Sequence, residues 1–384
     1  MQMIQICGKH TQKIGVIKNS MFKKYDVIVI GAGPAGCTAA KRLAENGFHV
    51  LLVEKLKLPR EKSCSGILIQ KSMTLVKQYY GKDIPLSAMC TPIENRGMIF
   101  TDSHGKEFRF EQEGRNIWRS VFDHWLAQQA VMAGAALLDD TMVTGCIESP
   151  GLVTVTMHKE GTSSFGAAAE CVIDCEGIVG RLKRQLMKIE PSYIKTYQVF
   201  YEGISSLDPH YFYAYLQPEF SGYDAWFNVK DDMPVLGVSM PAADSVKTDS
   251  VIRTGADEAA ICAYYQRFLS YMKENHGLCL KKKIREERWL MPQIKPGCPI
   301  DLGRGRVFFA GEAAGFLNPM GEGISAGMES GACIADAIIQ THHFKEIDKI
   351  YEFYEKNSAA LHQYMQRQWR FLGEISSAFS CMKQ

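Results

Sequence analysis

Three glycines, Gly31, Gly33 and Gly36, stand in GxGxxG spacing in the stretch GAGPAG. At that spacing glycine works by lacking a side chain. Gly31 permits a tight turn, Gly33 lets the backbone approach a pyrophosphate, and Gly36 lets helix and strand pack closely. Pro34 and Ala35 share the turn, and Glu54, 18 residues after Gly36, is placed to accept from ribose hydroxyls with Lys55 beside it. Far along the chain, NPMGEGISAGMESG (318–331) sets Pro319, Gly321, Glu322 and Gly323 directly before a helix of small residues starting near Ile324. Bare amides at a helix start usually face something electron-rich.

The elements around the first motif are those its chemistry needs. DVIVI (26–30) is an apolar run suited to a buried parallel strand. A helix is expected from Pro34 to Asn46, stopped by Gly47, and FHVLLVE forms a second apolar strand ending at Glu54. Strand, glycine turn, helix, strand and acid together read as a Rossmann-like dinucleotide-binding unit. The motif alone does not separate NAD from FAD. At the other end, GRGRVFFAGE (303–312) rises from a turn into a strand ending at Gly311 and Glu312.

Bulk properties exclude several classes. The 384 residues suffice for two or three folding units. A net charge of +2 gives no electrostatic case for nucleic acid. No apolar run is long enough for a transmembrane helix. Residues 1–20 lack the pattern of a signal peptide and read as a dispensable extension before Met21. The 12 cysteines show no paired metal spacing, so free thiols in a reducing cytoplasm are expected rather than zinc or disulfides.

Taken together, the two glycine turns and AGEAAGFLNPMGEGI resemble the flavoprotein monooxygenase superfamily, the p-hydroxybenzoate hydroxylase fold, and within it the geranylgeranyl reductase-like family. The resemblance covers about residues 24–340. It implies FAD, with Glu312 where the family Asp bonds the ribityl chain and with Pro319 to Ile324 along the pyrimidine side of the flavin. A helix start there stabilises the anion of reduced flavin. RSVFDHWL matches the family helix that carries an FAD-contacting arginine, which falls on Arg119, and Val143 falls where members touch adenine through backbone. VIDCEGIVGRLKR resembles the Asp-Gly motif, with Glu176 and Gly177 at its centre; Glu176 replaces Asp, Gly180 replaces Ser and Lys183 replaces Arg. LPREKSCSGILI resembles the family loop beside the flavin, with Arg60, Lys62 and Cys64 in register, Ser65 replacing a glycine, and Gly66 following. In the family this cysteine faces the active site, where a thiol could donate a proton or tune the flavin.

The expected architecture is an α/β FAD-binding domain (21–80, 115–185 and 291–343) interleaved with an antiparallel-sheet substrate domain (81–114 and 186–290), then C-terminal helices (344–384). Residues 97–110 read as a hairpin. Aromatic residues crowd 200–227, and Tyr213 and Trp226 are candidates to line an apolar cavity. The family stretch Y-x-W-x-F-P-K is half present in YDAWFNVK: Trp226 and Lys230 fit, while Asn228 and Val229 replace Phe and Pro. His124 is expected on a solvated helix face. The resemblance implies an FAD-dependent reductase that delivers hydride to a carbon–carbon double bond of an apolar, isoprenoid-like substrate. The electron donor is NAD(P)H or a reduced protein carrier, and a lipid substrate would bring peripheral membrane contact. The alternatives are a hydroxylase of the same fold and an electron-transfer flavoprotein without small-molecule turnover.

Overall fold

The computed structural model describes residues 23–375 except 178–179, 189–191, 243–254, 293–299, 319–320 and 343. Residues 1–20 and Pro319 thus lie outside the described residues.

The apolar run after Tyr25 forms the strand Lys23–Ile30, which runs parallel to Val50–Val53 on one side and Phe165–Asp174 on the other. Ala136–Leu138 and Val307–Phe309 extend the parallel array at its two ends. Val27, Ile28 and Val29 have no exposed surface, because helices and an antiparallel appendage cover both faces. The helix Pro34–Glu45 follows the glycine turn one residue shorter than expected. Ile324–Thr341, the small-residue helix, lies directly on it: a Cβ at Gly331 would sit 2.2 Å from the Ala35 carbonyl. Its small side chains therefore serve close helix packing as well as any ligand.

The second sheet has eight strands, in the order Cys279–Pro292, Tyr193–Ile204, Met233–Pro241, Ala225–Lys230, Tyr211–Tyr215, Met89–Thr101, Glu107–Ile117 and Ile67–Ile69. Met89–Thr101 and Glu107–Ile117 extend the hairpin expected at 97–110. Ile67–Ile69, inside the segment 21–80, pairs here with Gly114–Asn116, so the chain leaves the first sheet early. Alternation divides this sheet's faces. Tyr213, Tyr215, Phe227, Leu236 and Val238 pack with Ile261, Tyr265, Phe268 and Met272 of the helix Gly255–Asn275. Met98, Phe100, Phe212 and Trp226 occupy the opposite face, toward the glycine turns. The helix Ile347–Ile375 is the last described element; the side chains of Trp369 and Phe371 lie outside the described ones.

Candidate functional site

One cavity of about 530 Å³ opens between the C-terminal ends of the parallel strands and the aromatic face of the second sheet. From the first glycine turn it is lined by Gly31, Gly33, Pro34 and Ala35, and from the acid end by Glu54 and Lys55. Gly31 has φ +99°, and a Cβ there would lie 2.4 Å from the Cys175 carbonyl oxygen. Gly36 sits beneath the turn rather than on the cavity, where a Cβ would be 1.9 Å from the Gly31 oxygen. At Gly33 a side chain would meet only the Arg60 Nη2, at 3.8 Å, so this backbone is open to a ligand.

The acids near the turn are already engaged. Glu54 Oε2 accepts from Ala32 N (3.0 Å) and pairs with Arg60 Nε (3.1 Å), while Oε1 accepts from Leu56 N (3.0 Å). It therefore fixes the turn as well as facing the cavity. Arg60 also donates to the Ala32 carbonyl (3.3 Å) and pairs with Asp123 (3.1 Å). Arg119, at the start of the helix Arg119–Met132, grips Asp123 through two bonds of 2.8 Å, and the Cys64 sulfur is close enough to help raise its pKa. Burial alone would raise the Asp123 pKa, but Arg119 and Arg60 outweigh it and hold the carboxylate below its usual range. Asp123 is fully buried, and it went unassigned in the sequence. The available signal was its i,i+4 spacing from Arg119.

The far wall holds Gly311, Glu312, Gly321, Glu322, Gly323 and Ile324. The extra methylene of Glu312 carries its carboxylate between Gly177 and Gly323: hypothetical Cβ atoms there would lie 3.4 and 3.5 Å from its oxygens. The helix start at Ile324 is not wholly bare. Glu322 accepts from Ser325 N (2.8 Å) and Ser325 Oγ (2.6 Å), which makes it an internal cap. Glu176 likewise accepts from Arg181 N (2.9 Å) and Leu182 N (3.1 Å) at the start of the helix Arg181–Met187, although it and Gly177 border the cavity. Burial pushes the carboxyl pKa values of Glu176 and its neighbour Asp174 up. Lys183 Nζ donates to the Ala313 carbonyl at 2.6 Å.

Cys64, Ser65 and Val143 line the cavity; Cys64 Sγ accepts from Gly66 N at 3.4 Å. Gly66 itself is packed behind the loop. Lys62 lies over the Trp289 ring at 4.7 Å, and burial lowers its pKa. Trp226 lines the cavity, whereas Tyr213 does not: strand alternation turns it into the second core and gives Phe212 its expected place. Trp226 lies flat over Gly237, where a Cβ would be 2.0 Å from the indole ring. Beside it stand Thr196, Gln198 and Asp224, which the sequence left unassigned. Burial raises the Asp224 pKa to about 6 against a hydrogen bond from Ser239. His124 is half-buried, with Nε2 near Gln128. Among the described residues no group of three or more metal-ligating side chains gathers, and no helix is long and apolar enough to cross a membrane.

Residues 24–199 match the FAD binding domain family. The chain is similar to digeranylgeranylglycerophospholipid reductase of Methanosarcina acetivorans, 25% identical over 86% of this chain and 80% of the relative. It is 32% identical to a digeranylgeranylglycerophospholipid reductase of Methanopyrus kandleri over 58% of this chain and 59% of the relative. The chain thus carries an FAD binding domain, and these relatives are named as reductases of geranylgeranyl lipids. Among solved structures, a geranylgeranyl bacteriochlorophyll reductase-like protein from Thermoplasma acidophilum superposes with TM-score 0.74 at 20% identity, covering 94% of this chain and 90% of the other. A flavin-dependent halogenase superposes with TM-score 0.70 at 18% identity over 94% of this chain and 68% of the other, which is a likeness of fold. Matches to the first curated relatives span between 30% and 80% of their lengths. A dinucleotide is held along open backbone at a glycine turn, and the bare Gly33 with Arg60 beside it fits that requirement.

Proposed function

We propose that this chain is a reductase that uses FAD to saturate a carbon–carbon double bond in an apolar, isoprenoid-like substrate. The observation that carries the reading is one continuous cavity, bounded on one side by the glycine turns and on the other by Met98, Phe100, Phe212, Leu216 and Trp226. The names of the methanogen relatives support the same substrate class.

FAD, when bound, supplies the hydride. The chain's part is binding, orientation and exclusion of water. The turn at Gly31 to Ala35, with Arg60, would hold the pyrophosphate; Glu54 and Lys55 would take the ribose, and Val143 the adenine. Gly177, Gly311 and Glu312 would take the ribityl chain, and the amides of Gly321 to Ile324 the pyrimidine edge. Arg119, locked by Asp123, holds the Cys64 loop, and the Cys64 thiol is the candidate proton donor. The aromatic wall seats the apolar chain of the substrate in a dry, low-dielectric pocket. The two parts correspond to an FAD-binding domain interleaved with a substrate domain, working in the cytoplasm with peripheral membrane contact.

The donor is NAD(P)H or a reduced protein carrier. The second reading is a hydroxylase, supported by the fold it shares with oxygen-using flavoproteins.

An anaerobic visible spectrum of the FAD-loaded protein, before and after NADPH, tests these readings. Bleaching by NADPH assigns a nicotinamide donor; bleaching by dithionite alone assigns a protein carrier. Slow reoxidation in air with geranylgeraniol present supports the reductase, and rapid reoxidation coupled to oxygenation supports the hydroxylase. Failure to take up FAD would refute both.

A further inference from the structure

Lys230 ends the strand Ala225–Lys230, four residues past Trp226 and on the same face. It is 2% exposed. Its ammonium is held by neutral groups: it donates to the Ser65 carbonyl (2.8 Å) and the Ile117 carbonyl (2.7 Å), and lies 4.8 Å from the centroid of the Trp118 ring. Those three contacts suit the three protons of an ammonium. Burial lowers its pKa. Burying a lysine on neutral partners is unfavourable compared with an apolar side chain of like length. The charge does something an apolar chain could not: it gathers carbonyls from two separate segments.

Those segments are the cavity loop and the base of the Arg119 helix. Ser65 stands directly after Cys64; Ile117 ends its strand two residues before Arg119. From the opposite side Ile117 N donates to the Gly66 carbonyl at 2.8 Å. Gly66 has φ +67°, and a Cβ there would lie 2.2 Å from the Ile117 oxygen and 2.3 Å from Lys230 Nζ. The glycine is required because the cation and the carbonyl fill the space a side chain would need.

We infer that Lys230 is a positioning residue that couples the strand carrying Trp226 to the Cys64 loop, so that the seating of the substrate-facing sheet sets the place of the loop against the cofactor. Its consequence for the flavin rests on the function proposed above; the coupling itself does not.

The test is hydrogen exchange by mass spectrometry on the FAD-loaded protein, comparing wild type, Lys230→Met, Gly66→Ala and the double variant. Either single change should speed exchange of the 62–69 amides by about tenfold or more, the worth of losing a charge-assisted hydrogen bond. The double variant should add little, because both changes break one shared contact. The strand Lys23–Ile30 should keep its protection, and the visible flavin band of Lys230→Met should shift. Loop exchange within about twofold of wild type, fully additive effects, or equal loss of protection in Lys23–Ile30 would each overturn the inference. If the wild type binds no FAD, the flavin reading fails while the exchange comparison still decides the coupling.

Discussion

Asp123→Asn is the sharpest perturbation of the site. Asp123 is fully buried and joins Arg119 through two bonds of 2.8 Å and Arg60 through one of 3.1 Å. Removing one partner of a buried ion pair destabilises by about 3–5 kcal/mol, because the other charge stays buried and unpaired. Arg60 keeps Glu54 at 3.1 Å, so the uncompensated charge is chiefly Arg119. The lower end, about 3 kcal/mol, or roughly a hundredfold in the folding equilibrium, is therefore expected. Urea denaturation of the FAD-free protein at pH 7 measures it, and a flavin fluorescence titration should show weakened FAD binding. The pH dependence follows from the sign of the shift. The folded-state pKa of Asp123 is depressed, so its stabilisation is full above the unfolded value of about 4 and is lost as pH falls through the lower folded value. The difference between wild type and variant should hold from pH 7 to 5 and close only in stronger acid. A difference below about 1 kcal/mol at pH 7, the size of an exposed pair, would refute the reasoning.

Other changes separate cofactor from substrate binding. Gly31→Ala forces a side chain into a φ of +99° with its Cβ 2.4 Å from the Cys175 oxygen; a loss of at least about 2 kcal/mol and of FAD binding is expected, read by flavin fluorescence. Gly237→Ala places a Cβ 2.0 Å from the Trp226 ring and should drive the indole into the cavity. Geranylgeraniol should then no longer perturb the flavin band, while FAD affinity is kept; the overpacking itself costs about 1–3 kcal/mol. Asp224 carries a raised pKa of about 6, so the stability it contributes is full below about pH 4 and declines as pH rises through 6. Asp224→Asn should remove that decline, gaining on the order of 1–3 kcal/mol relative to wild type between pH 4 and pH 8, as thermal unfolding at both pH values would show.

Local signals carried the cofactor half of the molecule. Gly31, Gly33 and Gly36 have meaning wherever they occur between two apolar strands, because positive φ and close backbone approach are properties of glycine itself. The strand Lys23–Ile30 and the helix Pro34–Glu45 follow from an apolar run and a run of helix formers, and both stand where the sequence puts them. The resemblance of AGEAAGFLNPMGEGI likewise pointed to FAD before any contact was known. What a side chain faces within a sheet is a different matter. Tyr213 and Phe212 are both aromatic strand residues, and only the pairing with Ala225–Lys230 and the cover of Gly255–Asn275 decide that Phe212 meets the cavity.

Long-range polar partners were hidden for a related reason. Asp123 lies 63 residues from Arg60, and Lys230 lies 165 from Ser65. Their pairing depends on how two sheets are stacked, and no local period records that. Glu322 and Glu176 read as cofactor ligands in sequence; that Glu322 also accepts from the amide and hydroxyl of Ser325, and Glu176 Oε2 from the amides of Arg181 and Leu182, appears only in the structure. Sequence determined the glycine turns and the apolar strands, since these depend on backbone conformation and local burial. Tertiary structure alone decided which charges meet and which aromatic face lines the cavity, since those depend on distances between segments that the chain order does not fix.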